Sequence, residues 1–150
     1  MTTAADRPRL LDGGLHVDVR GSIAFVNDFD FQGVDRFYVV RSHRSHEPRG
    51  WVGHRREQKR FFVVQGTSLI AVVRPDEWQS PARDLPVERF ILSAAKPQIL
   101  FVPPGFATGS INLTADAVLL VFSSGKIEEA KTDDYRFPAD TWPITAQGPV

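Results

Sequence analysis

The sequence predicts an all-β domain of the sandwich or barrel type, and three observations carry this prediction. Short runs rich in β-branched and aromatic residues recur along the chain at near-regular spacing. Glycine and proline, 11 of each, stand between these runs and block the continuation of a helix. No stretch before residue 125 has an apolar period of 3.6 that is long enough for a helix. Many short strands in one chain favour a sandwich or barrel over an α/β fold.

The predicted elements follow one another in a simple order. Residues 1–12 are polar and are expected to form a flexible arm, or a strand swapped onto a partner subunit. Residues 126–150 are expected to be a helical or irregular tail packed on the barrel, with one helical turn at 127–131. Residues 65–67 form a short glycine-containing connection suited to a hairpin. The barrel itself is expected to span residues 13–125, with strands at 22–26, 36–40, 61–64, 68–73, 90–92, 98–102, 109–112 and 117–122.

Composition and charge exclude several classes of function. The 150 residues carry 18 basic and 18 acidic side chains, and the formal net charge of +0 argues against a nucleic-acid or membrane-surface binder. The chain has no cysteine, which excludes disulfides and thiolate metal sites. The first residues contain no apolar signal segment and no apolar run approaches membrane-spanning length, so a cytoplasmic protein is expected. His16, His43 and His46 are most simply surface residues.

A motif late in the barrel narrows the prediction. Residues 103–112 resemble the second motif of the cupins, which runs Pro-x-Gly, two residues, His, three residues, Asn. Pro103, Gly105 and Asn112 match this pattern, and Thr108 stands at the histidine position.

An earlier stretch, residues 49–66, resembles the first cupin motif, which carries His-x-His, a Glu and then a turn Gly. His54 stands at the second histidine, Glu57 at the acid and Gly66 at the turn, but Val52 replaces the first histidine. Cupin metals need about three or four nitrogen and oxygen ligands. Because the chain keeps so few of them, no metal is expected, and no other cofactor is expected either.

Two metal-free groups of cupins share further motifs with the chain. Residues 18–26, 35–40 and 47–51 look like the N-terminal strand, the Arg-x-Tyr strand and the Pro-Arg-Gly segment of sugar-nucleotide 3,4-ketoisomerases, which act on dTDP-4-keto-6-deoxyglucose. The dTDP-4-dehydrorhamnose 3,5-epimerases share an Arg-Gly pair, a lysine matched by Lys59 and a stretch like residues 102–107. The resemblance implies a cupin jelly roll, or double-stranded β-helix, whose substrate is a nucleotide-diphosphate sugar.

The resemblance also implies a reaction by proton transfer. In these families a base removes the acidic proton beside the keto group of the sugar, and the enediolate is reprotonated elsewhere. Such chemistry needs a base with a pKa near the working pH, a proton donor, and cations for the diphosphate. His54 is the candidate base. Because residues two apart on a strand share a face, Val52, His54 and Arg56 are expected to point the same way. The competing interpretation of His54 is a structural, hydrogen-bonded histidine.

Further candidates accompany this base. Tyr38 is a candidate proton donor and Lys59 a candidate catalytic residue, with a core aromatic and a solvated surface lysine as the competing interpretations. Arginines suit a diphosphate because they form charge-assisted, forked contacts, although each is equally suited to a surface salt bridge. Trp51 either stacks on a nucleotide base or walls the barrel. The complete set of candidate substrate-binding residues is Arg20, Arg36, Arg49, Trp51, Arg56 and Glu57.

The chain departs from both families at positions that carry chemistry. Val52 replaces a catalytic histidine, Val121 falls near the epimerase tyrosine, and Thr108 replaces the second-motif histidine. Three hypotheses stay open: an isomerase or epimerase in deoxysugar biosynthesis, a non-catalytic cupin that binds a nucleotide sugar or other small ligand, and an unrelated cyclase or lyase. The retained arginine, histidine, lysine and tyrosine favour the first, and Val52 favours the second. The edge strands of a jelly roll need covering, and cupins of this type usually pair, so a homodimer is expected.

Overall fold

The computed structural model describes residues 6–146 of the chain. Within this range short β-strands follow one another almost from the first residue to the last, with one helical turn near the end. In chain order the elements are β1 (Arg9–Asp12), β2 (Gly14–Asp18), β3 (Gly21–Phe25), β4 (Arg36–Val40), β5 (Pro48–His54), β6 (Lys59–Gln65), β7 (Thr67–Val73), β8 (Glu88–Ser93), β9 (Gln98–Val102), β10 (Phe106–Asn112), β11 (Val118–Ser123), α1 (Ile127–Ala130) and β12 (Tyr135–Phe137).

Two five-stranded sheets and one separate hairpin make up the described part of the chain. The strand order is β1-β9-β6-β11-β4 in the first sheet and β12-β5-β10-β7-β8 in the second, and β2 pairs with β3. Every pairing between these strands is antiparallel. The predicted all-β fold class is confirmed, and each strand predicted from the sequence overlaps an observed one.

The core between the two sheets is built from alternate residues of their strands. A strand places successive side chains on opposite faces, so every second apolar residue points inward. Burial of such side chains contributes about 1.5–3 kcal/mol each. Next to these residues the inner surface becomes polar and encloses a cavity. The fully buried members of this core are Phe61, Val63, Ile70, Val72, Leu92, Leu100, Val102, Phe106, Leu119 and Val121.

A second apolar cluster covers the outer face of the second sheet. Trp51 on β5 and Trp142 in the C-terminal tail are both buried and meet edge to face, with ring centroids 5.2 Å apart. The Trp51 Nε1 donates to the carbonyl oxygen of Trp142 (3.1 Å), and the Trp142 Nε1 donates to that of Ala82 (2.9 Å). The tail thus lies against this sheet as far as it is described, and residues 147–150 fall outside that range.

Both motif turns carry the chain from the first sheet to the second. Gly66 (φ +73°) joins β6 to β7, and Gly105 (φ +96°) joins β9 to β10. A side chain at Gly66 would lie 2.3 Å from the Thr114 Oγ1, so only glycine fits this turn. The hairpin predicted at residues 65–67 is therefore wrong. The two strands pair with others in separate sheets, because the turn rotates the chain around the edge of the core.

The N-terminal segment begins with an ordered strand. Residues 1–5 of the predicted arm lie outside the described residues, while Arg9–Asp12 form β1 and pair with β9 of the same chain. The β2–β3 hairpin that follows belongs to neither large sheet. In the described range, no helix is both long and apolar enough to cross a membrane.

Candidate active site

A cavity of about 430 Å³ opens between the two sheets. Strands β4, β6 and β11 supply one wall, β5 and β10 supply the other, and α1 and β12 close one side. Apolar residues of the core form part of its lining, and a group of polar side chains forms the rest. These polar residues are Arg36, Tyr38, Arg49, His54, Lys59, Thr108, Ser110, Lys131, Asp134 and Arg136.

His54 ends strand β5 and is buried at the cavity wall. Its Nδ1 lies 2.7 Å from the main-chain carbonyl oxygen of Asp133 and 3.2 Å from the Glu57 Oε2. Both partners are acceptors, so the neutral ring carries its proton on Nδ1 and keeps its lone pair on Nε2. Burial lowers the pKa of His54 below its ordinary 6.5, and Lys59 lowers it further, against the opposing effect of Asp133 and Glu57. A neutral imidazole with a free Nε2 is suited to act as a general base.

Glu57 lies behind the cavity wall, where its side chain is only 3% exposed. Its Oε1 accepts a hydrogen bond from the Arg36 guanidinium (2.7 Å) and lies 3.4 Å from the Lys59 Nζ. Its other oxygen faces His54. A buried carboxylate is stable when cations and hydrogen bonds compensate the lost hydration. Glu57 is thus the counter-ion of Arg36 and Lys59, and its second oxygen lies beside the His54 ring.

Lys59 on β6 and Tyr38 on β4 form a hydrogen-bonded pair on the cavity-facing side of the first sheet, across the intervening strand β11. The Lys59 Nζ donates to the Tyr38 hydroxyl over 2.9 Å, and both residues line the cavity. Because the phenolic oxygen accepts this bond from an ammonium group, its own proton is directed elsewhere. The pair therefore presents a proton donor, backed by a positive charge, to the same cavity as His54.

The mouth of the cavity is basic. Arg49 and Arg136 line both the cavity and an adjoining cleft of about 430 Å³, which also contains Arg41 and His43. Arg136 lies opposite Val52 in the β12–β5 ladder, and its Nε donates to the Asp134 carboxylate (3.1 Å). Guanidinium groups at the rim of a cavity are suited to bind phosphate groups in forked contacts.

Comparison with known proteins decides the fold. No protein-family model and no curated protein matches the sequence, but solved structures do match. A histidine-to-asparagine mutant of the 3,4-ketoisomerase QdtA from Thermoanaerobacterium thermosaccharolyticum, in complex with TDP-4-keto-6-deoxyglucose, has a TM-score of 0.65 at 20% identity, over 85% of this chain and 86% of that one. The dTDP-4-dehydrorhamnose 3,5-epimerase from Sulfolobus tokodaii has a TM-score of 0.72 at 22% identity, over 91% and 81%. The chain is a cupin jelly roll.

A third similar structure supports the same conclusion. The dTDP-4-dehydrorhamnose 3,5-epimerase from Bacillus anthracis, with TDP and PPi bound, has a TM-score of 0.71 at 20% identity, over 96% of this chain and 89% of that one. Likeness at such identities establishes the fold. The resemblance expected from the motifs, to cupins of the ketoisomerase and epimerase groups, is confirmed at that level.

The donor set of this cavity does not fit a metal ion. Val52 and Thr108, at the two motif positions where cupins carry histidines, lie directly opposite each other in the β5–β10 ladder. His54, Glu57 and Asp133 do bring one ligand atom each within 4.8 Å of one another. However, the Asp133 carboxylate accepts three main-chain N–H groups, and Glu57 is ion-paired to two cations. The Asp133 carboxylate and the His54 Nδ1 are thus engaged by the main chain, and although the Glu57 Oε2 accepts no hydrogen bond, the positive charges of Arg36 and Lys59 on the same carboxylate repel a divalent cation.

Four of the residues proposed to bind substrate do not line the cavity, and one of them is Glu57, which lies behind its wall. Trp51 is 1% exposed and packs in the outer cluster, because it points to the opposite face of β5 from His54. Arg56 does not share the face of Val52 and His54, since β5 ends at His54; its guanidinium donates to the Thr132 hydroxyl (2.9 Å). Arg20 lies on the β2–β3 turn, where its 83% exposed side chain pairs with Asp18.

Among the residues that line or organise the site and were not foreseen, Arg136 and Asp133 matter most. Arg136 is in the three-residue strand β12, too short for the alternation of Tyr135, Arg136 and Phe137 to be distinguished from a loop. Asp133 contacts residues 55–57, which are 76 to 78 positions away in the sequence. No local pattern signals a partner at that distance.

Proposed function

We propose that this cupin is an isomerase or epimerase of a nucleotide-linked 4-keto-6-deoxyhexose, a dTDP-sugar, in deoxysugar biosynthesis. The observation that carries the proposal is the meeting of a neutral buried imidazole with a Tyr–Lys donor pair in one cavity. His54 is the base, and Tyr38 with Lys59 is the acid. The cavity volume lies within the range of roughly 300–1,000 Å³ typical of small-molecule sites.

In the proposed reaction the His54 Nε2 removes the proton from the carbon beside the ketone. The electron pair moves to the carbonyl oxygen, where Tyr38 and Lys59 stabilise or protonate the developing enediolate. In the isomerisation the carbonyl oxygen takes the Tyr38 proton, the imidazolium gives its proton to the former carbonyl carbon, and the hydroxyl of the first carbon loses its proton to the Tyr38 oxygen, which leaves the ketone at that carbon. In the epimerisation Lys59 stabilises the oxyanion, Tyr38 delivers its proton to the opposite face of the original carbon, and the imidazolium releases its proton to solvent, from which Tyr38 is reprotonated. Protons and electrons balance without any redox partner.

The basic mouth is the proposed site of the diphosphate. Arg49 and Arg136 lie where the cavity opens into the cleft containing Arg41, so a diphosphate bound there would leave the sugar beside His54. Arg36 has a different proposed role, because its guanidinium pairs with Glu57 instead of pointing to the mouth. The similar structures support this substrate class, since they hold TDP or TDP-4-keto-6-deoxyglucose.

A second candidate function is binding of a nucleotide sugar without catalysis. Val52 favours it, because this residue lines the cavity beside His54 at a position where both enzyme families have a histidine. A valine cannot transfer protons. The retained His54, Tyr38 and Lys59 favour the enzyme, since binding alone requires neither a base nor an acid.

Proton NMR of the protein with dTDP-4-keto-6-deoxyglucose in deuterated water distinguishes these functions. The enzyme predicts a new sugar product, or deuterium at a carbon beside the ketone, which disappears in His54→Ala. Shifted nucleotide resonances without exchange or product would establish the binding protein. Absence of both product and shifts would refute the sugar-nucleotide proposal.

We also propose that the protein is a homodimer that works in the cytoplasm. The support for the dimer is the β2–β3 hairpin, which joins neither sheet and exposes Leu15, Val17, Ile23 and Phe25 by 39 to 66%. Leu15 and Val17 lie on one face of the hairpin and Ile23 and Phe25 on the other, so both faces offer exposed apolar side chains to a partner subunit. Sedimentation should give twice the chain mass for the wild type and a monomer for the double variant Val17→Glu, Ile23→Glu. A monomeric wild type would refute the dimer.

A further inference from the structure

Asp133 is a buried residue of the C-terminal tail, 3% exposed, in the short segment between α1 and β12. Its carboxylate accepts three main-chain hydrogen bonds from the turn that follows β5. The Arg55 N–H donates to Oδ1 (2.8 Å), and the N–H groups of Arg56 (2.9 Å) and Glu57 (2.8 Å) donate to Oδ2. The Asp133 side chain thus fixes the conformation of the turn that leads from His54 to Glu57.

The main chain of the same residue holds the base itself. The Asp133 carbonyl oxygen lies 2.7 Å from the His54 Nδ1, closer than the Glu57 Oε2 at 3.2 Å. His54 lines the cavity while its Nδ1 is turned toward the tail, so Nε2 is the nitrogen available to a ligand. The side chain and main chain of Asp133 act together. The hydrogen bonds to the carboxylate anchor the peptide group whose carbonyl oxygen accepts the hydrogen bond from the His54 Nδ1.

We infer that Asp133 is a positioning residue, which fixes His54 in the Nδ1–H tautomer with Nε2 directed to the cavity. The catalytic part of this inference rests on the proposed function, whereas the tautomer does not. Asp133 also places Glu57 through its N–H, and Glu57 in turn pairs with Lys59 and Arg36. The tail therefore sets the geometry of both the base and the charges around it.

The electrostatics agree with this geometry. Burial on its own would raise the pKa of Asp133, but the three N–H bonds and the nearby His54 outweigh it and lower the pKa below its ordinary 3.8. Asp133 is consequently ionised throughout the neutral range. An ionised carboxylate accepts all three N–H groups at once, whereas a neutral side chain of the same size has fewer acceptor positions.

The test is a measurement of the His54 tautomer by ¹H–¹⁵N NMR, together with steady-state kinetics on the dTDP-4-keto sugar. The chain has four histidines, and comparison with His54→Asn assigns the relevant signals. The wild type should show Nδ1–H, and Asp133→Ala should show a tautomer mixture with kcat reduced about 10- to 100-fold and KM changed less than about threefold. Asp133→Asn, which keeps one accepting oxygen and the side-chain volume, should lie between the two. The control Glu128→Gln removes a charge from exposed α1 and should match the wild type.

An Nε2–H tautomer in the wild type would overturn the inference, and so would an Asp133→Ala variant with the wild-type tautomer. If Asp133→Ala does not fold, as judged from its dispersion of amide signals, Asp133→Asn decides in its place. If no variant turns over the dTDP-sugar, the proposed function fails. The tautomer shift still decides the positioning role in that case, because it is measured on the free protein.

Discussion

The two faces of strand β5 have opposite characters. One face directs Val52 and His54 into the cavity, where buried cations and Glu57 surround a neutral imidazole. The other directs Trp51 and Gly53 outward, where Trp51 packs against Trp142 and Trp78 covers the glycine. A side chain at Gly53 would lie 2.5 Å from the Trp78 ring, so this face has no free space.

Along β5, residues that line the candidate active site therefore alternate with residues that stabilise the fold. Buried charges cost desolvation energy and contribute little net stability, whereas buried aromatic rings contribute much. Neighbouring residues of β5 should therefore respond differently to substitution, even though their Cα atoms are only about 3.8 Å apart. Changes on the cavity face should affect turnover, and changes on the outer face should affect unfolding.

The largest expected effect comes from removing the base. His54→Ala should reduce kcat on the dTDP-4-keto sugar by about 10²–10⁴-fold, the usual contribution of a general base. Its midpoint of thermal unfolding should fall by less than that of Trp51→Ala, since a smaller side chain is removed from the interior. A full loss of folded signal in this variant would contradict the separation of the two faces.

Truncation on the outer face should produce the converse result. Trp51→Ala removes a fully buried ring and the hydrogen bond to Trp142, so the free energy of unfolding should fall by about 3–5 kcal/mol. Urea denaturation gives the value, and Trp51→Phe should recover part of it. Under conditions where the variant is folded, KM should not change. A raised KM with unchanged stability would instead assign Trp51 to the ligand.

A moderate effect is expected at the cavity mouth. Arg49→Lys keeps the charge but loses the forked geometry, so KM should rise about tenfold with a smaller change in kcat. Arg44→Lys, an exposed loop substitution of the same kind, is the matched control. Equal kinetics for the two variants would remove Arg49 from the proposed diphosphate site.

The smallest effect is a pH dependence of stability. Because the folded protein lowers the pKa of His54 below 6.5, the unfolded chain binds a proton there more readily. The contribution of His54 is therefore fully present above pH 6.5 and is lost as the pH falls through the folded pKa. The urea midpoint of the wild type should drop more than that of His54→Gln between about pH 7.5 and about pH 5.5. An equal drop of the urea midpoint in the wild type and in His54→Gln would refute the lowered pKa of His54.

Strand alternation explains which site residues could be predicted from the sequence. Tyr38, His54 and Lys59 reach the cavity because motif and period-2 pattern place them on inner faces. The same rule, applied strictly, assigns Trp51 to the opposite face from His54. Local patterns also predicted eight of the twelve strands of the described residues, β3, β4 and β6 to β11, since turn residues and β-branched runs are short-range signals.

Long-range contacts explain what could not be predicted. Arg56 leaves the inner face because β5 ends at His54, where Asp133 binds the next three N–H groups. At Gly66 the chain passes from the first sheet to the second, and Thr114 of another loop lies so close to this turn that only glycine fits there. In both cases the decisive partner lies far away in the sequence, and a single sequence does not reveal such pairs.

The position of the tail at the end of the chain has a consequence for folding during synthesis on the ribosome. Chains emerge from the ribosome N-terminus first, so β5 is made long before Asp133, β12 and Trp142. Until those residues arrive, this strand lacks its neighbour at the sheet edge, the cover of its outer face and the acceptor for its histidine. A nascent chain can assemble most of the barrel and still lack the contacts that orient His54. Orientation of this histidine and completion of the fold are thus acquired in the same late step of synthesis.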